Sequence, residues 1–186
     1  VTALRRRELL LRAAAGAGAL TAATASHTPS ALAATSNPEV ATIESFVKLE
    51  LTSAVVYETL VGLHLDAATL GLLSLLAEQE REHAAVLLNA AEYLGGAPQQ
   101  APSPALVKRA SPALARAHSR HDALAIALEV ERIQLRAYYS GQQQLSDTKL
   151  LQQTATIMCS EGQQIVAVRS QLGTEPIPAA FELGTT

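Results

Sequence analysis

Glu80-Arg81-Glu82-His83 stands near the middle of a long helical pattern, and Glu161-Gly162-Gln163-Gln164 repeats it imperfectly. Glu80 and His83 are three residues apart and so share one helix face. The rest of that face is apolar, with Leu73, Leu76, Ala84 and Leu87 at offsets of −7, −4, +4 and +7 from Glu80. The carboxylate is therefore expected to point inward. The same test turns three more glutamates inward. Glu50 has Phe46, Val47, Ala54 and Tyr57 at −4, −3, +4 and +7, and Glu131 has Leu124, Leu128, Leu135 and Tyr138 at −7, −3, +4 and +7. Glu161 has Ile157, Met158, Ile165 and Val168 at −4, −3, +4 and +7. Each carboxylate lies in an apolar stripe.

The spacings interlock. Glu50 to Glu80 and Glu131 to Glu161 are both 30 residues, while Glu50 to Glu131, Tyr57 to Tyr138 and His83 to Gln164 are each 81. The chain thus reads as two copies of one helix pair. Each copy carries Glu-x6-Tyr on its first helix and Glu-x-x-His, or its Gln variant, on its second.

Helical patterning places a first helix from Pro38 to about Leu63, with Ser36 and Glu39 at capping-box spacing. Asp66 is the expected N-cap of a second helix over 67–94, which Gly95-Gly96 terminates. Residues 95–121 contain Pro98, Pro102, Pro104 and Pro112, and these predict no helix longer than a turn or two around Ala105–Ala110. A third long helix is expected from Asp122 to Ser140-Gly141, and a fourth from Ser146 or Asp147 to Leu172, closed by Gly173. Tight turns make each pair antiparallel. The long link can run the full height of helices roughly 40 Å long, leaving the second and third long helices parallel. The expected fold class is all-α, a four-helix bundle of two antiparallel pairs joined by one long crossover.

Residues 1–33 read as a secretory leader, with Arg5-Arg6-Arg7 before Leu9-Leu10-Leu11 and an uncharged stretch from Ala13 to Ser26. The start resembles a twin-arginine export signal. Its uncharged span of 14 residues is too short to cross a bilayer. Cleavage is expected after Ala25 or Ala33. These residues predict export to the periplasm, the cell envelope or the medium, without a transmembrane anchor. The whole chain carries 14 − 17 = −3, and residues 34–186 carry 10 − 16 = −6 once four Arg and one Glu are removed. An acidic domain without a basic patch argues against a nucleic-acid partner. Cys159 is alone, so no disulfide can form within the chain. It falls off the Glu161 face and reads as an inert small hydrophobe.

Four inward carboxylates are an electrostatic problem. Taking an ion out of water costs several kcal/mol even after relaxation, so four would cost about 10–20 kcal/mol. The stability of a whole domain is roughly 5–15 kcal/mol. Two divalent cations would balance the four charges, with neutral His83 as a nitrogen ligand, and such an oxygen-rich set suits iron or manganese.

Over residues 38–172 the chain resembles the ferritin-like superfamily at Glu50, Tyr57, Glu80, His83, Glu131, Tyr138 and Glu161. It is most similar to the exported bacterial ferritin-like domain proteins. The resemblance implies a di-iron or di-manganese carboxylate site acting in iron oxidation or in peroxide or dioxygen chemistry. In it Glu50 and Glu131 would be terminal ligands, Glu80 and Glu161 would bridge, and His83 would be terminal to one metal. Tyr57 and Tyr138 would hydrogen-bond carboxylates or be close enough to be oxidised. Gln164 departs from the pattern, because a Gln carbonyl is a weak neutral ligand where the family has His. An asymmetric pair, a single-metal site and a site that has lost its metal all compete at that position. The absence of a fifth long helix after Leu172 argues against a storage cage and leaves a homodimer or small oligomer open.

Two classes of function follow. One is a redox metalloprotein. The other is a non-enzymatic bundle with a structural, stress-protective or metal-buffering role. A nucleophilic hydrolase is disfavoured, since no Ser, His and acidic set falls together on these helix faces.

Overall fold

A computed structural model describes residues 37–180 and 182. The leader expected over 1–33 and its cleavage sites lie outside them. Five α-helices make up the described part: α1 (Pro38–Val61), α2 (Ala67–Tyr93), α3 (Pro104–Leu114), α4 (Arg120–Gly141) and α5 (Thr148–Leu172). A single 3-10 turn, Gln142–Gln144, links α4 to α5.

Four of these helices form the expected bundle. Pairings along the helices fix their directions. Arg81 of α2 bonds Glu58 of α1, and a Cβ at Gly96 just beyond α2 would meet Val40 near the start of α1, so these two are antiparallel. Gln142 at the end of α4 reaches Thr154 of α5 at 3.4 Å, and Arg120 at its start holds Gln171, so that pair is antiparallel too. Contacts from Thr69 to Arg120 and from Glu80 to Gln134 advance together along α2 and α4, which are therefore parallel. The crossover between them is the long link from Leu94 to Ser119.

That crossover differs from expectation. It holds a helix of 11 residues, with Ser103 capping it and Pro104 in its first turn, where a missing N–H costs nothing. Pro112 lies inside the last turn and does not break it. Two prolines that read as punctuation are instead one start and one tolerated passenger. No residue of α3 is fully buried, and it packs on α1 and α4 from outside.

Capping accounts for most of the boundaries. Asp66 caps α2 through Thr69 N at 3.0 Å, and Ser119 with Asp122 forms a reciprocal capping box for α4. Asp147 caps α5 through Lys149 N at 2.7 Å and Leu150 N at 3.1 Å. Gly173 closes α5 with φ of 72°, the left-handed conformation that glycine adopts without a Cβ penalty. Asn37 caps α1 by accepting from Glu39 N at 3.0 Å. Glu39 itself does something the spacing with Ser36 did not suggest. Its carboxylate accepts from Asp147 N at 3.0 Å and from the Ser146 amide and hydroxyl, pinning the start of α1 to the start of α5. Those hydrogen bonds hold its pKa below the usual carboxylate range.

The core is split in two. One apolar cluster gathers Tyr57, Leu60, Leu73, Leu76 and Leu124, and the other gathers Ile43, Phe46, Leu87, Tyr138 and Leu150. Between them runs a buried polar layer. Among the described residues no helix is long and apolar enough to cross a membrane.

Candidate metal centre

Glu50, Glu80, Glu131 and Glu161 all lie in this layer with no exposed surface. The apolar residues at the offsets that turned each inward are themselves buried or half-buried. Glu78, Glu82 and Glu129, off those faces, are exposed. Cys159, expected off the Glu161 face, is also exposed. It sits two residues from Glu161 on a helix whose opposite side carries the core.

One ligand atom each from Glu50, Glu80, His83 and Glu161 falls within 4.8 Å of all the others. His83 Nδ1 stands 3.1 Å from Glu161 Oε1 and 3.5 Å from Glu50 Oε2. Its side chain is nearly buried, and neither His83 Nδ1 nor Glu161 Oε1 has a hydrogen-bond partner. Buried polar atoms are nearly always paired, because an unpaired one costs about 1–3 kcal/mol. An imidazole nitrogen and a carboxylate oxygen left open, facing each other across a cluster of carboxylates, are what a cation between them would use. The donor set fits a divalent metal.

The other half carries the second copy of the sequence repeat. Gln164 stands where the repeat places the counterpart of His83. One terminal atom of its amide lies 2.6 Å from Glu131 Oε2, 2.8 Å from Glu161 Oε2 and 3.3 Å from Glu80 Oε1. With nitrogen in that place the amide donates to Glu131 and Glu161. Turned the other way, it donates to Gln79 Oε1 at 3.1 Å and aims its oxygen at the carboxylates. A cation among them would favour the second orientation. Gln164 thus faces Glu80 and Glu161 together with Glu131, but offers no nitrogen ligand.

The tyrosines cross over between the halves. Tyr57 donates to Glu131, and Tyr138 donates to Glu50. Each hydroxyl from one copy of the repeat bonds the carboxylate of the other copy. Both rings are fully buried, and Phe46 packs on Tyr138 with ring centroids 4.4 Å apart. Burial first and then the bonded carboxylate, Glu131 for Tyr57 and Glu50 for Tyr138, push both phenols well above their usual pKa. They are proton donors to the site.

Gln134 is the residue the sequence reading missed. It has no exposed surface, and its amide donates to Glu50 at 3.0 Å and to Glu80. The signal was available. Gln134 lies three residues after Glu131 and shares its face, but the offsets searched for apolar residues passed over a polar one.

The Gln134 amide bonds two carboxyls of the layer, and the other forces in it raise the pKa of three. Burial, then the Glu50 and Glu161 charges, raise Glu80 well above the usual carboxylate range. Burial, then Glu161, do the same to Glu131, and burial, then Glu50, to Glu161.

A family model described as ferritin-like domain matches residues 31–174. The chain belongs to the ferritin-like domain family. The match spans the whole bundle, including every ligand candidate in this ferritin-like centre. No curated protein and no solved structure matches the chain.

Proposed function

We propose that this is an exported ferritin-like metal-binding protein whose buried layer holds iron or manganese and acts in iron oxidation or in peroxide or dioxygen chemistry. The observation that carries it is the group Glu50, Glu80, His83 and Glu161, in which a nitrogen and an oxygen 3.1 Å apart make no hydrogen bond. Glu50 and His83 would hold one metal, Glu131 and the Gln164 carbonyl a second, with Glu80 and Glu161 shared. A bound iron or manganese ion would supply the electrons exchanged with dioxygen or peroxide. The chain supplies the rest. The two apolar clusters keep water from the carboxylates, and Tyr57 and Tyr138 orient Glu131 and Glu50 and hold protons beside them. The leader features of residues 1–33 support the exported part of the reading.

A degenerate, non-enzymatic bundle is the second reading, and one observation favours it. Gln134 donates to Glu50 and Glu80, and Gln164 can donate to Glu131 and Glu161, so amides and shared protons can satisfy the layer with no metal. Anaerobic loading of the metal-stripped protein with Fe(II), removal of excess, and measurement of iron per chain separates the readings. Two ions per chain, lost in Glu80→Ala, are the expected result. One per chain would confine binding to the His83 half. None, in a folded protein, would sink the metalloprotein and leave the scaffold reading.

A further inference from the structure

Away from the carboxylates, a cavity of about 320 Å³ lies between α1, the crossover helix α3 and α4. Small-molecule sites typically occupy about 300–1,000 Å³. Its walls are apolar, with Leu49 and Val56 from α1, Leu106 and Ala110 from α3, and Ile126 and Val130 from α4. Four polar side chains also reach it: Thr52, Ser53, Arg109 and Glu129. Two of them are already engaged. The Thr52 hydroxyl donates to Lys48 O at 2.6 Å and accepts from Ser103 N at 3.0 Å, and Glu129 is paired with Arg136 at 3.2 Å. The other two are not. Ser53 is 3% exposed, and its hydroxyl makes no hydrogen bond among the described residues. Arg109 at the rim carries no ion pair among them.

An apolar space of this size is a poor place for water, which needs two to four polar partners. Glu129 is paired with Arg136, so the charged group at the mouth with no ion pair among the described residues is the Arg109 guanidinium, which suits an anion. At roughly 30 Å³ per non-hydrogen atom, the share of a water molecule in the liquid, the volume suits an occupant of about ten such atoms.

We propose that this cavity binds a small amphiphilic carboxylate, an aliphatic acid of about eight carbons by that volume. Its chain lies among the α1, α3 and α4 side chains and its head group pairs with Arg109. Ser53 offers one hydrogen-bonding point in the wall. The site is independent of metal binding, although Ser53 falls one turn from both Glu50 and Tyr57.

Calorimetric titration of the full chain with octanoate, octan-1-ol and butyrate tests it, using Ala110→Trp to fill the space and Arg109→Gln to remove the charge. Octanoate is expected to bind once per chain, more tightly than butyrate, and Ala110→Trp to abolish binding. Arg109→Gln should weaken octanoate by about three- to fivefold, the value of one exposed charge pair, and leave octan-1-ol unchanged. Since α3 buries no residue fully, Ala110→Trp should fold; if its thermal melt shows otherwise, Val130→Phe fills the same space from α4. No octanoate binding, or binding undiminished in the filled variant, overturns the site. Equal affinity for octanoate and octan-1-ol overturns the anionic head group.

Discussion

Gln164 is the residue at which the two halves of the centre part company. His83 offers a nitrogen to Glu50 and Glu161, whereas Gln164 offers an amide that bonds carboxylates as readily as it could ligate. Replacing Gln164 by His should therefore convert the weaker half into a match for the stronger one. Competition titration with a chelator should show the second Fe(II) bound about tenfold or more tightly than in the parent protein, with the first unaffected. An unchanged second affinity would show that Gln134 or the layer's geometry, not position 164, limits binding. At this scale the sequence was largely legible. Four glutamates, His83 and both tyrosines are where their offsets put them, because a 3.6-residue period assigns a face from spacing alone. Gln134 escaped because a polar residue on an apolar face breaks the very pattern used to find that face. The partner of each tyrosine was illegible too, since a period says which way a side chain points and not which helix it meets.

Each long helix is bounded by residues whose chemistry could be read one at a time, and the ends agree with expectation to within a residue or two. The exceptions are contacts between elements. Glu39, read as half of a local capping box, caps the start of another helix 107 residues away. Gly141 ends α4 against α1, and a Cβ built there would lie 2.4 Å from Phe46 Cζ and 3.3 Å from Thr42 Cγ2. The Phe46 ring cannot swing aside freely, because it packs on Tyr138, which holds Glu50. Gly141→Ala should thus destabilise the protein by about 1–3 kcal/mol, the usual cost of overpacking a core. Phe46→Leu in the same chain should recover part of that loss. Urea unfolding of the two single variants and the double variant would give the coupling, and strict additivity would show that the contact is not the cause.

Across the whole molecule the buried layer sets how stability depends on pH. Glu80, Glu131 and Glu161 hold protons more firmly folded than unfolded, where a carboxylate titrates near 4.5. Above that value the folded metal-free chain binds more protons than the unfolded one, so its stability falls as pH rises. Glu39, Asp66 and Asp122 are shifted the opposite way, and their contribution is lost as pH falls below the usual carboxylate range. In chelator, the urea midpoint should therefore decline between about pH 5 and pH 8, and Glu80→Gln should flatten the decline. With metal in excess the trend should reverse, because the cation displaces those protons and binds better as they leave. A metal-free midpoint that rises over this range would overturn the assignment of protons to the layer.

The crossed tyrosines bear on ancestry. Since each hydroxyl serves the opposite copy of the repeat, one helix pair alone has half of every bond it needs, and two copies are the smallest complete unit. Such a unit could begin as two identical chains around a true twofold axis, in which any change at the histidine position would strike both metal positions at once. Fusing the copies into one chain would remove that constraint. In a single chain a histidine at 83 can stand beside a glutamine at 164, and the two sides of the centre are free to acquire different tasks.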